Sequence, residues 1–249
     1  MRKLYLLILV GSLLVWGCKR DGEAPPSAPQ NLRGEAVNDG QDLKLTWDAP
    51  DEGTPNSYEV ICDNSTIASN LPNTTTTYTI NGSQYVCKKV QVVAVKGSDR
   101  SPAELDLSLT PTSQITIYDI SQPCPTYKSW GKLTTKPNVS LVDICQNDVT
   151  GGANTAYFVY QAPKISDCSQ TSKAGSCNVN IGFGPAYSGN LAPSTGYEAD
   201  LIPASGQKYY IYTTDGYYGI ISINNASSNN VTLSISLQNK VPGLRWVKQ

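Results

Sequence analysis

The sequence predicts an all-β protein built as two antiparallel β-sandwiches in tandem. Short runs of alternating apolar and polar residues recur along the chain, separated by Gly, Pro, Asn and Asp clusters. No stretch after residue 17 carries a helical period worth defending. Thr, Ser, Asn, Tyr and Gly are abundant while only 16% of residues are charged, a composition suited to exposed sheets and turns.

The N-terminal segment comes first. Arg2 and Lys3 precede an uncharged apolar run from Leu4 to Trp16. That run is too short to span a bilayer core of ~30 Å as a helix, but it has the size and flanks of a signal-peptide core. It ends in Val15-Trp16-Gly17-Cys18, which resembles the lipobox of bacterial lipoproteins. The resemblance implies removal of residues 1–17, lipidation of Cys18 and a protein held to a membrane by acyl chains. Trp16 departs from the motif, whose matching position usually holds a small residue. Lys19, in place of the aspartate that retains some lipoproteins in the inner membrane, implies the outer one. The tether that follows, Lys19-Arg20-Asp21-Gly22-Glu23-Ala24-Pro25-Pro26-Ser27, is charged and proline-rich and cannot bury a core.

Lipidation also changes the cysteine count. Seven cysteines become six once Cys18 is taken: Cys62, Cys87, Cys124, Cys145, Cys168 and Cys177. In an exported protein an even set reads as three disulfides, and six cysteines allow 15 pairings. A domain boundary near residue 111 isolates Cys62 with Cys87. The shortest loops then pair Cys124 with Cys145 and Cys168 with Cys177. The chain has no histidine and no C-x-x-C pair, so no metal site is expected. Removing residues 1–17 takes away Arg2 and Lys3 and no acid, leaving 17 basic against 20 acidic side chains, a net charge of −3. Such a chain has no basic excess for nucleic acid.

In residues 28–111, Leu43, Leu45 and Trp47 alternate with Lys44 and Thr46 and stop at Pro50, as a half-buried strand does. Further strands are read at 58–62, 76–80 and 86–95, with Gly97 to Pro102 as a turn and a last strand through Leu105, Leu107 and Leu109. Pro26-x-x-Pro29-x-Asn31-Leu32, Leu45-x-Trp47-x-x-Pro50, Tyr58-x-Val60, Val92-x-Ala94 and Ser101-Pro102 together resemble a fibronectin type III domain. The resemblance implies an antiparallel sandwich with Trp47 as the core tryptophan of its second strand. It departs at Lys88, where the family usually has a tyrosine. Tyr85 is expected to take that place after a bulge, which would also bring Cys87 round to Cys62.

Residues 112–249 read as a second sandwich, jelly-roll-like, with strands at 114–120, 138–145, 155–161, 178–183, 197–202, 208–214, 217–224 and 231–238. Asp215-Gly216 predicts a two-residue type I′ hairpin turn, placing Tyr212 opposite Gly219 and Tyr210 opposite Ile221. The stretch 209–223 also faintly resembles a hairpin of HmuY-type haem-carrier lipoproteins. Those carriers hold iron through histidines, which this chain lacks, so the likeness implies fold only and no cofactor is expected.

Eleven of the 15 tyrosines follow residue 112. They either form an aromatic platform for a glycan or another envelope protein, with Tyr210, Tyr212 and Tyr217 as candidate contacts, or fill a core that has only two phenylalanines. Asp143, Asn147, Asp148 and Asn154 around Gly151-Gly152 form an oxygen-rich loop of the kind used by calcium sites and by plain turns alike. Without histidine, Ser-His-Asp and Cys-His catalysis are closed off, and no catalytic residue is assigned. Glu198 and Asp200 are the carboxylate pair that shares a strand face. The expectation is a lipid-anchored, non-enzymatic envelope protein: a fibronectin type III spacer presenting a disulfide-stapled sandwich that binds a glycan or protein, or serves as a structural component.

Overall fold

The structure, a computed structural model, describes residues 24–249. Cys18 and the first part of the tether lie outside the described residues. The expected all-β class is what is found. Among the described residues no helix is long and apolar enough to cross a membrane.

The first sandwich uses seven strands: β1 (Gln30–Val37), β2 (Asp42–Asp48), β3 (Ser57–Cys62), β4 (Ser65–Pro72), β5 (Thr77–Ile80), β6 (Lys89–Lys96) and β7 (Asp99–Asp106). A three-stranded sheet, β1-β2-β5, faces a four-stranded sheet, β4-β3-β6-β7. Alternation does the sorting: Leu43, Leu45 and Trp47 from β2 meet Tyr58, Val60 and Cys62 from β3 and Val90, Val92 and Ala94 from β6. Trp47 and Tyr58 pack edge to face at 5.6 Å between ring centroids.

Three readings of this region are corrected. The expected turn over 97–102 is much tighter, since Asp99 already pairs with Lys96, and the last strand, β7, runs Asp99–Asp106 and not through Leu109. β1 and β4 were not expected; both are polar edge strands with little apolar alternation. Tyr85 does not enter the core, for its side chain is 40% exposed. The reason is that β6 starts only at Lys89, and residues 81–85 form a turn in which Gln84 N–H and Tyr85 N–H both donate to Asn81 O. Cys87 lies outside the strand, so strand parity does not govern it and no bulge is required. It is buried and joined to Cys62 across a Cα separation of 5.4 Å.

The second sandwich begins before residue 112, at β8 (Thr110–Pro111), and continues with β9 (Ile115–Tyr118), β10 (Trp130–Thr134), β11 (Ser140–Ile144), β12 (Thr155–Gln161), β13 (Lys164–Asp167), β14 (Ile181–Ala186), β15 (Asp200–Leu201), β16 (Lys208–Thr213), β17 (Tyr217–Ala226) and β18 (Asn230–Gln238). A five-stranded sheet, β11-β10-β12-β13-β15, packs on a six-stranded one, β14-β16-β17-β18-β8, with β9 also paired to β18. Between them lies a core of Leu133, Phe158, Ile165, Phe183, Ile211, Ile221, Leu233 and neighbours.

Strand β12 is buried on both faces. Ala156, Phe158 and Tyr160 point into that core, while Tyr157 and Val159 join Trp130, Val149 and Cys168 in an outer cluster. The covering layer is made of loops and short 3-10 turns tied by the Cys124–Cys145 and Cys168–Cys177 disulfides. All three expected pairings are therefore present.

The hairpin register differs from expectation by one residue. The loop is Thr214-Asp215-Gly216, closed by Gly216 N–H donating to Thr213 O at 2.8 Å, and only Gly216 has positive φ, at 98°. Asp215 keeps negative φ because its carboxylate is pulled across to the other sheet, accepting from Thr135 Oγ1 at 2.6 Å. Three-residue loops of this kind end in a left-handed glycine. Tyr212 consequently faces Tyr218, and Ile211 faces Gly219. The stacking of tyrosine on glycine occurs elsewhere: Tyr197 lies over Gly182 and Gly184, where a Cβ would come within 2.9 and 2.8 Å of it.

Residues 239–249 leave the second sandwich and return to the first. Val241, Leu244 and Trp246 join the first core, and Trp246 Nε1–H donates to Gln41 O at 2.7 Å. Alternate residues face the other way. Arg245 donates from its side chain to Asp39 O and Ala192 O, both at 2.7 Å, and Val247 packs with Tyr210, Tyr218 and Ala192 on the second sandwich. Lys248 Nζ then reaches Asp63 Oδ2 at 2.6 Å and Val86 O at 3.0 Å. This extended segment is a clasp whose two faces belong to two different cores.

Candidate functional site at the junction of the sandwiches

Two of the grooves at the junction combine clasp residues with exposed or half-buried tyrosines. The first, of about 390 Å3, runs between the β1–β2 turn and the outer face of β16–β17, lined by Asn38, Asp39, Gly40, Tyr212, Tyr218 and Gly243 among others. Asn38 and Asp39 both adopt left-handed conformations, at φ 52° and 55°, which turns the chain toward the tyrosines. Gly40 is required there. It has φ 72°, and a Cβ would come within 1.9 Å of Gly243 O on the clasp.

Hydroxyl partners sort the tyrosines. Tyr157, Tyr160, Tyr187, Tyr197, Tyr209 and Tyr210 all use theirs inside the protein: Tyr157 on Gly151 O, Tyr160 on Ser227 O, Tyr187 on Asn190 Oδ1, Tyr197 on Pro193 O, and Tyr209 accepting from Ala204 N–H. Tyr210 accepts from Ser188 N–H and Gly189 N–H and donates to Gly189 O. The hydroxyls of Tyr212 and Tyr218 have no protein partner among the described residues. Their rings sit 4.8 Å apart at 42°, and Tyr197 closes the group at 5.9 and 6.0 Å. Burial, then the neighbouring Tyr212, raises the Tyr218 phenol above its ordinary pKa; burial raises Tyr197 further. Both are neutral hydrogen-bonding groups in water. The Asp39 carboxylate is exposed and close enough to Tyr218 to act on it electrostatically.

Of the three expected contact aromatics, only Tyr212 retains useful exposure. Tyr210 is 2% exposed and packs against Ala192 and Val247, and Tyr217 is 4% exposed in the second core with Lys136 Nζ 5.6 Å above its ring. Both are corrected from surface to interior positions, because Ala192 and Val247 cover Tyr210 on β16 and the second core encloses Tyr217 on β17. Tyr218 and Asp39 were not singled out. Nothing in the sequence links residue 39 to residue 218; the clasp makes them neighbours.

The second groove, of about 480 Å3, lies beside the Cys62–Cys87 disulfide. Asp63, Ser65, Ser83, Gln84 and Tyr85 line it from the first sandwich, Asn190 from the second, and Lys248 from the clasp.

The other candidate residues are engaged structurally. Asp148 accepts from Cys145 N–H at 3.2 Å, and Asp143 pairs with Lys128 at 3.6 Å, so the oxygen-rich loop does not converge on a centre. Among the described residues no cluster of three or more potential metal-ligating side chains is present. Asp200 binds Lys164 at 3.2 Å, and its carboxyl is held below the ordinary range first by Ser166 and then by Lys164. Glu198 bridges β14 through its backbone, exchanging bonds with Phe183.

No protein-family model matches the chain, and no curated protein matches it. Among solved structures it is similar to a DUF4466 family protein from Parabacteroides merdae, at 12% identity and a TM-score of 0.38 over 86% of this chain and 100% of that one.

Proposed function

We propose that this protein is a lipid-anchored, non-enzymatic component of a bacterial cell envelope, with a fibronectin type III-like first sandwich as spacer and a junction groove that binds a glycan or another envelope protein. The groove formed by Tyr212, Tyr218 and Asp39 carries the binding part of this reading. It combines the half-buried Tyr212 ring, the hydroxyls of Tyr212 and of the 8% exposed Tyr218, which have no protein partner among the described residues, and one exposed carboxylate. Aromatic rings with a polar tip suit sugar and protein surfaces alike. The anchoring part rests on the lipobox resemblance at Cys18, and the outer membrane is favoured by Lys19.

A second reading, a structural envelope protein without a soluble ligand, is favoured by one observation. Tyr210 and Tyr217 are buried, so no continuous tyrosine row faces solvent. Two experiments separate these possibilities. Cys18→Ala should move the protein from the membrane to the soluble fraction; unchanged fractionation removes the anchor. Tyr212→Ala should abolish retention of whatever ligand the wild-type protein holds from glycan arrays or envelope extract. Absence of any Tyr212-dependent retention favours the structural reading.

A further inference from the structure

We infer that the groove beside the Cys62–Cys87 disulfide is a second, separate binding site, for a neutral saccharide chain. It does not depend on the Tyr212 groove.

The inference starts from Tyr85. Trp47 and Tyr58 supply the aromatic packing of the first core, so Tyr85 is free of a structural duty there. It is instead 40% exposed and lines the larger groove. The turn from Asn81 to Tyr85 holds it in place: Asn81 Oδ1 accepts from Ser83 N–H at 2.9 Å and Ser83 Oγ–H at 2.6 Å, and Asn81 O accepts from the N–H groups of Gln84 and Tyr85. Gly82 locks that turn onto the start of β2. Its N–H donates to Asp42 Oδ1 at 2.9 Å, and a Cβ there would lie 1.8 Å from Gln41 O and 2.7 Å from Trp246 Nε1 on the clasp. A ring held on a rigid turn meets a ligand with little loss of freedom.

The rest of the lining sets the ligand class. Among the described residues Ser65 and Gln84 make no side-chain hydrogen bond, and Asn190 keeps both amide protons after accepting from Tyr187 at 3.0 Å. These groups can donate to and accept from hydroxyls. The two charges in the groove cancel, since Lys248 Nζ is 2.6 Å from Asp63 Oδ2. Asp63 Oδ1 is occupied as well, by the N–H groups of Lys88 and Lys89. An anionic ligand would have to break that pair. A neutral pyranose needs a ring face, which Tyr85 offers, and amide and hydroxyl partners at its edge, which Gln84, Asn190 and Ser65 offer. The volume, about 480 Å3, falls within the usual range for ligand sites, roughly 300–1,000 Å3.

The test is affinity electrophoresis of the full chain in detergent through gels containing neutral polysaccharides (β-glucan, xylan, mannan), with polygalacturonate as the charged comparison. At least one neutral polysaccharide should retard the protein. Tyr85→Ala should weaken that retardation about tenfold, and Tyr85→Trp should preserve it. Tyr85 is exposed, so thermal unfolding should be unchanged in both variants. Tyr212→Ala should leave the retardation intact, which separates this site from the Tyr212 groove. No retardation by any neutral polysaccharide, retardation by polygalacturonate alone, or equal retardation of Tyr85→Ala would each overturn the inference.

Discussion

Asp42 shows how much one side chain does at the junction. It is buried, accepts from Asn38 Nδ2 at 2.6 Å and from Gly82 N–H at 2.9 Å, and so holds the two turns on which both grooves depend. The Asn38 bond first, then the Gly82 N–H, holds its carboxyl below the ordinary range. A depressed folded pKa contributes stability in full above the unfolded pKa of about 3.9 and loses it as pH falls through the folded value. Asp42→Asn should therefore reduce stability at neutral pH and flatten its decline below about pH 4, measured by denaturant unfolding along a pH series. An acid limb as steep as wild type would contradict this. Gly40 is as exacting for a steric reason. Gly40→Ala adds a Cβ at φ 72° and 1.9 Å from Gly243 O, which should cost about 1–3 kcal/mol in unfolding free energy.

At the scale of elements, the disulfides act as roofing. Strand β12 has no polar face, and the loops joined by Cys124–Cys145 and Cys168–Cys177 supply the cover its outer side requires. Replacing Cys168 and Cys177 by serine should lower stability by about 2–3 kcal/mol and speed proteolysis near residues 168–180; unchanged stability would mean the loop holds its place unaided. If Cys18 is acylated as proposed, thiol titration of the denatured protein without reductant should find no free thiol. The sequence foreshadowed those strands whose burial repeats every second residue, such as β2, β3 and β18. Edge strands β1 and β4 escaped notice because solvent covers one side of them and their apolar signal is thin. Strands β10 and β13 escaped because they are short and their burial does not alternate cleanly. The hairpin register was missed for a tertiary reason: the Thr135–Asp215 bond outweighs the local preference of Asp-Gly for a two-residue turn. Of the candidate sites, Tyr212 was legible and its partners were not, since Asp39 and Tyr218 meet only after both sandwiches dock.

For the whole molecule, the clasp decides whether two sandwiches behave as one body. Trp246 is 1% exposed within the first core and is bonded to Gln41, while Arg245 bridges Asp39 to Ala192. Trp246→Ala should destabilise the first sandwich by about 3–5 kcal/mol. Deleting residues 239–249 should do the same and also broaden the distance distribution in small-angle scattering, as the sandwiches lose their fixed orientation. A truncated chain with wild-type scattering would show that β8 and the remaining contacts suffice. Both grooves are lined partly by the clasp, so ligand retention should fall in the same deletion.

The clasp also imposes an order in time. Trp246 and Gln41 are 205 positions apart, and Arg245 and Asp39 are 206. A ribosome makes the strands of the first sandwich long before it makes the tryptophan that completes their core. Until then the first core lacks Val241, Leu244 and Trp246, and the chain stays nearer the unfolded state. Once residues 241–247 arrive, closing that slot and fixing the second sandwich are a single event. Completion of the first core thus waits on residues 241–247, and a chain that lacks them would be an incompletely packed substrate for proteases.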